Sequence, residues 1–247
     1  MIPLKTKSEV GLIRASGKLV SEILRILESK VAPGVTTGEL NQLAGHLIRE
    51  RGGKAAPPEV GFPGDICISV NEQVVHGIPG KRLLRSGDIV SIDVTASFDG
   101  YYGDVASTFP VGEISEEAQR LLVVTKQALY EGISKAVEGN RLGHISNAIQ
   151  MCVESQGFSV VRDFVGHGIG KDMWEEPQIP NFGLSDRGPK LRKGMVLAIE
   201  PMVNIGVYDV RVLDDKWTAV TQDGKLSAHF EHTIVISDNG AEILTIL

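Results

Sequence analysis

Four acidic residues of this 247-residue chain, Asp93, Asp104, Glu200 and Glu231, lie in or at the end of apolar segments. An ionised carboxylate in apolar surroundings is costly unless it is paired or coordinated, and two close carboxylates repel each other. A divalent cation bound between them would remove both problems. The four acids are therefore candidate metal ligands; for Asp93 and Asp104 the alternatives are that one acid is protonated or that both face solvent.

The first two acids belong to one predicted hairpin. Asp99-Gly100 between two apolar segments is a strong signal for a two-residue turn. With this turn, residues pair when their numbers sum to 199, so Asp93 and Asp104 become diagonal neighbours on one strand face. Two side chains in these positions can reach one point between them.

The other two acids belong to a second copy of the same pattern. Residues 83–93 and 190–200 share the frame Leu-Arg-x-Gly followed by an apolar strand that ends in an acid. Each copy follows a His-Gly-Ile tripeptide, which contains His76 in the first half and His167 in the second. Glycines repeat at a constant offset of 105, as Gly34, Gly38 and Gly52 match Gly139, Gly143 and Gly157. The duplication predicts two halves related by a pseudo-twofold axis.

Under that symmetry Glu200 corresponds to Asp93 and Glu231 to Asp104, so the four carboxylates converge on the sheet axis. Their combined charge suits two divalent cations better than one. Two glycines flank His167 and permit close approach of a ligand, so it is the candidate nitrogen ligand. Its repeat partner His76 is the candidate catalytic histidine.

The remaining histidines receive lesser roles. Residues two apart in a strand share a face, so His229 lies on the face of Glu231 and His232 on the opposite one. His232 is interpreted as structural. His46 and His144 lie on predicted helices and are assigned to the surface or to packing.

The elements that position these side chains predict an α+β fold in which duplicated helix pairs cover a curved antiparallel sheet. Apolar residues with a 3.6-residue period predict four helices: one from near Ser8 to before Pro33, one capped by Thr37, one that opens at Ser115, and one from His144 to Gln156. Strands are predicted at 66–70, 88–97, 101–109, 159–164, 195–203, 207–213, 216–222, 228–236 and 242–246. No long linker separates the halves, about 5–112 and 115–247, so we expect residues 1–247 to form a single catalytic domain.

Composition limits the classes of function. The net charge of −6 argues against a nucleic-acid binder with a basic surface. No run of 18 apolar residues and no apolar signal core occurs, so we expect a soluble cytoplasmic protein without membrane contact. The cysteines Cys67 and Cys152 do not suggest a disulfide framework. Nothing indicates an obligate dimer, so we expect a monomer.

Five segments together resemble the type I methionine aminopeptidases, which have the pita-bread fold. The segments are C-I-S-V-N-E-Q-V-V-H-G-I-P (67–79), S-I-D-V…G-Y-Y-G-D-V-A-S-T-F (91–109), F-V-G-H-G-I-G (164–170), G-M-V-L-A-I-E-P (194–201) and F-E-H-T-I-V-I (230–236). The resemblance covers nearly the whole chain. The lack of a large insertion between Glu200 and Glu231 favours the short type I form over type II.

The resemblance implies a role for each position. Two divalent cations (Co, Mn, Fe or Zn) would be held by Asp93, Asp104, His167, Glu200 and Glu231, with Asp104 and Glu231 as bridging ligands. A hydroxide between the ions would attack the scissile carbonyl, Glu200 would transfer its proton, and His76 would hold the peptide nitrogen and stabilise the tetrahedral intermediate. The substrates would be N-termini of peptides and nascent proteins, with the ribosome as a candidate partner. Three residues would line the pocket for the N-terminal side chain: Cys67, Phe62 and Trp217. For Cys67 and Trp217 a simple core role stays open.

The chain also departs from this family. A second histidine usually precedes Glu-Glu-Pro, and here that position is Trp174, a candidate substrate-binding residue. Met173 replaces a usual pocket phenylalanine, and Glu59 and Ala56 stand where the pocket wall usually has aromatic and cysteine side chains. These differences predict weaker activity or a different preferred N-terminal residue.

Two other functions compete with aminopeptidase activity. An Xaa-Pro peptidase of the same fold is disfavoured by the absence of an N-terminal domain and by the type I segments. A non-catalytic binding module would be expected to lose metal ligands, whereas all five are present, and only Trp174 favours it.

Overall fold

The computed structural model describes residues 2–246. Its four α-helices are α1 (Lys7–Glu28), α2 (Thr37–Glu50), α3 (Glu116–Ser134) and α4 (Leu142–Glu154). Polar side chains fix three of the helix starts: Thr6 and Thr36 form capping boxes with a glutamate three residues on, and Ser115 caps α3. The predicted cap Thr37 is wrong by one residue, since only Thr36 lies three residues before Glu39. The fourth helix begins two residues before the predicted His144.

The strands of the described chain are mostly short. In chain order they are β1 (Lys54–Ala55), β2 (Cys67–Val70), β3 (Gln73–Val75), β4 (Ile89–Phe98), β5 (Tyr101–Pro110), β6 (Ser159–Val160), β7 (Gly166–Gly168), β8 (Glu175–Ile179), β9 (Val196–Ile199), β10 (Met202–Asn204), β11 (Val210–Val212), β12 (Ala219–Thr221), β13 (Ser227–His229), β14 (Glu231–Ser237) and β15 (Gly240–Ile243).

Nine strands form the main antiparallel sheet, in the order β1-β4-β5-β14-β9-β7-β8, with β2 also paired to β4 and β15 to β14. Strands of the first half thus lie on one side of the β5–β14 junction and strands of the second half on the other. Within this sheet two residue pairs join the halves in register, Glu231 with Ala106 and His232 with Val105. We call the β5–β14 junction the seam. In a separate three-stranded sheet, β3 of the first half pairs with β12 of the second.

The β4–β5 hairpin has the predicted register. Asp93 pairs with Ala106 and Thr95 with Asp104, as expected when paired numbers sum to 199. Asp99 and Gly100 have φ angles of 51° and 79°, and two positive values are the requirement of a type I′ turn. The dipeptide therefore decides which face Asp93 and Asp104 share.

Each helix pair covers its own part of the sheet. The apolar faces of α1 and α2 pack on β4 in one core, which includes Ile23, Ile48 and Ile92. Those of α3 and α4 pack on β9 and β14 in another, which includes Leu129 and Leu197. Full burial of one such side chain contributes about 1.5–3 kcal/mol, so the helices hold the sheet firmly. The predicted α+β architecture is confirmed.

Several strand predictions are wrong in extent. The predicted strand 195–203 is interrupted at Glu200–Pro201, where proline lacks the N–H that a ladder requires. The strand 228–236 is divided at Phe230, and in 159–164 only Ser159–Val160 forms a strand. The short strands at 54–55, 73–75, 166–168 and 175–179 were missed, and His167 lies within one of them instead of after a strand. Within residues 2–246, none of the helices is long and apolar enough to cross a bilayer.

Candidate metal centre and substrate cavity

A cavity of about 520 Å³ lies beside the main sheet, and all five predicted metal ligands line it. They come from adjacent strands across the seam. In spatial order these are Asp93 on β4, Asp104 on β5, Glu231 on β14, Glu200 directly after β9, and His167 on β7. Residues from both halves therefore meet at one place in the middle of the sheet.

Three of these side chains surround one point. One ligand atom each of Asp104, His167 and Glu231 lies within 4.8 Å of the others. His167 Nε2 is also 3.5 Å from Glu200 Oε1 and 3.9 Å from Asp104 Oδ2. Such separations suit a cation held between the side chains.

The electrostatics of the cluster are unfavourable without a cation. Burial, together with the charge of neighbouring acids, raises the pKa values of Asp93, Glu200 and Glu231 well above their ordinary range. Burial also raises the pKa of Asp104, against the opposing effects of His167 and a hydrogen bond from Thr95. Positive charge at this site would relieve the repulsion.

Two buried polar atoms without partners indicate whether the side chains of this cluster could hold a cation. Glu231 Oε1 and His229 Nε2 are buried, and neither has a hydrogen-bond partner among residues 2–246. Buried polar atoms normally have one, so an unpaired carboxylate oxygen beside three other acids indicates a missing positive partner. Four carboxylates and one imidazole form a donor set that Mn, Fe, Co and Zn accept. The residues present therefore fit divalent cations.

His229 also belongs to the site, although the sequence did not mark it as a functional residue. Its Nε2 lies 3.7 Å from Glu200 Oε2, and burial, reinforced by His76, lowers its pKa to about 3. The ring is thus neutral at physiological pH and adds no charge to the site. Its place on the same face as Glu231 follows from the predicted two-residue strand period, although a break at Phe230 separates β13 from β14.

Thr95 orients the two acids of the hairpin. Its hydroxyl lies 2.7 Å from Asp104 Oδ1 and 3.5 Å from Asp93 Oδ1. The register rule placed Thr95 opposite Asp104, so this contact could have been found from the sequence. Such contacts around ligand residues commonly set their orientation.

His76 lies at the cavity wall, directly after β3. Its φ of 57° is uncommon for a residue other than glycine and often accompanies a functional constraint. The imidazole packs edge-on against Phe164 with centroids 5.5 Å apart, and burial lowers its pKa. A neutral imidazole can still donate one hydrogen bond into the cavity.

The predicted side-chain pocket is formed by residues that line the same cavity. Phe62 and Trp217 make an edge-to-face contact with centroids 5.4 Å apart. Cys67 pairs in register with Asp93, and burial together with Asp93 raises the pKa of its thiol. The pocket is therefore an apolar wall with a protonated thiol beside the carboxylates.

The cavity rim contains Met173 and Trp174, and the Trp174 side chain is 56% exposed. The two other departures noted in the sequence do not line the cavity. Ala56 is fully buried, and Glu59 binds the Tyr102 hydroxyl and lies 2.9 Å from Lys54 Nζ. The nearby wall is formed instead by Pro57 and Val60. Placing Glu59 and Ala56 in the pocket wall was therefore wrong.

A sequence profile described as "Metallopeptidase family M24" matches residues 11–238. The chain belongs to metallopeptidase family M24. It is 54% identical to a methionine aminopeptidase of Clostridium perfringens, with 100% of both chains covered. It is 51% identical to methionine aminopeptidase 1 of Bacillus subtilis, with 99% of both covered.

The M24 assignment extends to the three-dimensional structure. The crystal structure of a methionine aminopeptidase from Thermotoga maritima superposes with a TM-score of 0.98 at 47% identity and covers 100% of each chain. This agreement confirms the pita-bread fold expected from the sequence segments. As a member of M24, the chain is a metallopeptidase, and the cavity contains its cluster of candidate metal-binding side chains.

Proposed function

We propose that this chain is a methionine aminopeptidase, which hydrolyses the first peptide bond of peptides and proteins that begin with methionine. The convergence of five potential ligands beside an apolar pocket carries the proposal. The names of relatives with 46–54% identity over nearly the whole chain support the same activity. M24 membership alone leaves the preferred N-terminal residue open.

Two divalent cations would be held by the five side chains that line the cavity, with Asp104 and Glu231 shared between the two positions. When bound, the cations would supply an activated water nucleophile at neutral pH and polarise the scissile carbonyl. Glu200, whose Oε1 lies 3.5 Å from His167 Nε2 beside the metal positions, would accept a proton and return it. His76 would donate a hydrogen bond to the substrate backbone, where negative charge develops.

The pocket would hold the N-terminal side chain. Phe62 and Trp217 would present aromatic surface to an apolar side chain, and Cys67, the strand partner of Asp93, lines the same cavity. Methionine suits such a pocket because its flexible thioether makes favourable contacts with aromatic rings.

Hydrolysis by separately loaded samples tests the proposal. Metal-free protein is loaded with Mn, Fe, Co or Zn and given Met-Ala-Ser or Ala-Pro peptides, with chelator-treated protein as the control. We expect release of methionine from Met-Ala-Ser only. Cleavage of Ala-Pro peptides would identify an Xaa-Pro peptidase, and binding without cleavage under every metal would identify a non-catalytic module.

Metal loading is expected to release protons. Burial and mutual repulsion raise the pKa values of the buried acids, so the metal-free protein keeps protons to a higher pH than ordinary carboxyl groups do, and a bound cation would displace them. Apparent affinity should therefore fall as pH decreases through those raised values. Calorimetric titration in two buffers of different ionisation enthalpy counts the protons. A count of zero in the wild-type protein would contradict the raised pKa values.

Trp174 is expected to limit activity. The family position usually has a histidine, whereas the indole N–H sits on a larger, flatter side chain. A hydrogen bond to a charged acceptor contributes ~1.5–3 kcal/mol, so Trp174→His should raise kcat/KM on Met-Ala-Ser by ~10-fold or more. Trp174→Ala is the matched control and should bring no gain. An unchanged or lower kcat/KM for Trp174→His would mean that Trp174 packs on the rim and another donor compensates.

We further propose that the halves 5–112 and 115–247 form one catalytic domain with pseudo-twofold symmetry. The placement of their strands on either side of the seam supports this organisation. The protein would act as a monomer in the cytoplasm, on peptides or on chains that emerge from the ribosome. Size-exclusion chromatography with light scattering tests the monomer.

A further inference from the structure

The N-terminal segment reaches the cavity rim through one buried ion pair. Lys5 Nζ lies 2.8 Å and 2.6 Å from the two carboxylate oxygens of Glu175. The two side chains are 7% and 9% exposed. Removal of one partner from a buried pair leaves the other charge without compensation, so this pair matters more than a surface pair would.

The Glu175 carboxylate also closes the turn between β7 and β8. Its Oε1 accepts the backbone N–H of Lys171 at 2.9 Å and that of Asp172 at 3.4 Å. We call residues 170–175 the rim turn. Lys5 and the backbone of the rim turn thus share one carboxylate, and the ion pair holds that carboxylate where it caps the turn.

The Lys5–Glu175 pair lies close against the backbone of Gly170. A Cβ added at Gly170 would overlap Lys5 Nζ and lie 2.6 Å from Glu175 Oε1. The Gly170 carbonyl accepts the Tyr102 N–H at 2.9 Å, which ties the rim turn to β5. A side chain at position 170 would require the Lys5 ammonium group or the Glu175 carboxylate to shift.

The backbone of Lys5 is fixed on both sides. Its N–H donates to the Gly194 carbonyl at 2.7 Å, and the next residue, Thr6, caps α1. Lys5 therefore projects from a rigid point of the fold and not from a free chain end. Its ammonium group, bound to Glu175, can therefore restrain the rim turn.

The rim turn carries Met173 and Trp174, which line the cavity. Because Trp174 is more than half exposed, its position depends on the backbone that presents it. We propose that Lys5 is a positioning residue: through Glu175 it fixes the rim turn against which the peptide following the N-terminal residue binds. This inference rests on the proposed peptidase function for the identity of the ligand, and on the contacts above for the positioning.

The test compares Lys5→Met, which keeps most of the side-chain length without the charge, with Lys5→Arg, which keeps the charge. Lys18→Met is the matched control, since Lys18 is 70% exposed and forms only an i,i+4 pair with Glu22. The chain has two tryptophans, so a Trp217→Phe background makes Trp174 the single reporter. Acrylamide quenching of its fluorescence then measures the mobility of the rim turn without reference to catalysis.

In the Trp217→Phe background we expect Lys5→Met to increase quenching of Trp174 fluorescence. In the protein that keeps Trp217, we expect Lys5→Met to raise KM for Met-Ala-Ser about tenfold with little change in kcat or metal content. Lys5→Arg should restore most of both properties, and Lys18→Met should match the wild type. Quenching and KM that remain at wild-type values in Lys5→Met would overturn the proposal. So would a loss of kcat and metal at unchanged quenching, since that pattern indicates a purely structural role near the metal centre.

Glu175→Gln provides a second variant if Lys5→Met fails to fold. It keeps an oxygen for the two backbone N–H groups and removes the negative charge that pairs with Lys5. Greater quenching of Trp174 in this variant would support the proposal, and unchanged quenching would overturn it. If the wild-type protein cleaves no methionyl peptide, the proposed function fails, but the quenching comparison still decides whether Lys5 fixes the rim turn.

Discussion

Replacing either acid at the seam, as in Asp104→Asn or Glu231→Gln, is expected to remove at least one bound metal ion and nearly all hydrolysis. Both side chains are almost completely buried, and each has an oxygen in the cluster with His167. Loss of a residue that merely orients a metal ligand costs 10–100-fold, so loss of a ligand shared by two ions should lower kcat/KM by at least ~10²-fold.

Metal content and kcat/KM are measured on the same purified samples. Asp172→Asn is the matched control. This variant should keep its metals, because Asp172 is an exposed acid near the same cavity. Unchanged metal occupancy in Asp104→Asn or in Glu231→Gln would refute the assignment of these acids as shared ligands.

His76→Ala is expected to keep its metals and lose kcat by ~10²-fold or more, the usual effect of removing one donor to a developing oxyanion. The ring faces the cavity from a constrained backbone, outside the main sheet that carries the five candidate ligands. Metal analysis and kcat on Met-Ala-Ser separate the two roles. His46→Ala, on the exposed side of α2, should behave as wild type. Loss of metal from His76→Ala would identify His76 as a ligand.

The sequence was most informative where local rules decide geometry. Asp99-Gly100 determines a turn, the turn determines the register, and the register places Asp93 beside Asp104. The repeated Leu-Arg-x-Gly segments led to Glu200 in the same way. These signals involve residues close together in sequence or a pattern that recurs, so no knowledge of long-range packing was needed.

The sequence was least informative where burial does not depend on strand pairing. Val161 is fully buried and apolar like a strand residue, yet it lies beyond the end of β6. Periodicity reports which side chains are buried and not whether their backbone joins a ladder. The Lys5–Glu175 pair joins residues 170 positions apart, and no local pattern marks either of them. Such contacts become visible only when the fold is known.

Because candidate metal ligands lie on both sides of the seam, metal binding is expected to contribute to the stability of the whole molecule. Only two in-register residue pairs join β5 to β14, and one of them contains Glu231. A ligand that binds only the folded state adds about 2.7 kcal/mol to the free energy of unfolding at a concentration 100 times its Kd. Because the acids that would hold the metal come from both sides of the seam, neither half can gain this stabilisation alone. Chelation would therefore lower the unfolding temperature of both halves in a single transition, and metal supply would set the resistance of the whole chain to proteolysis.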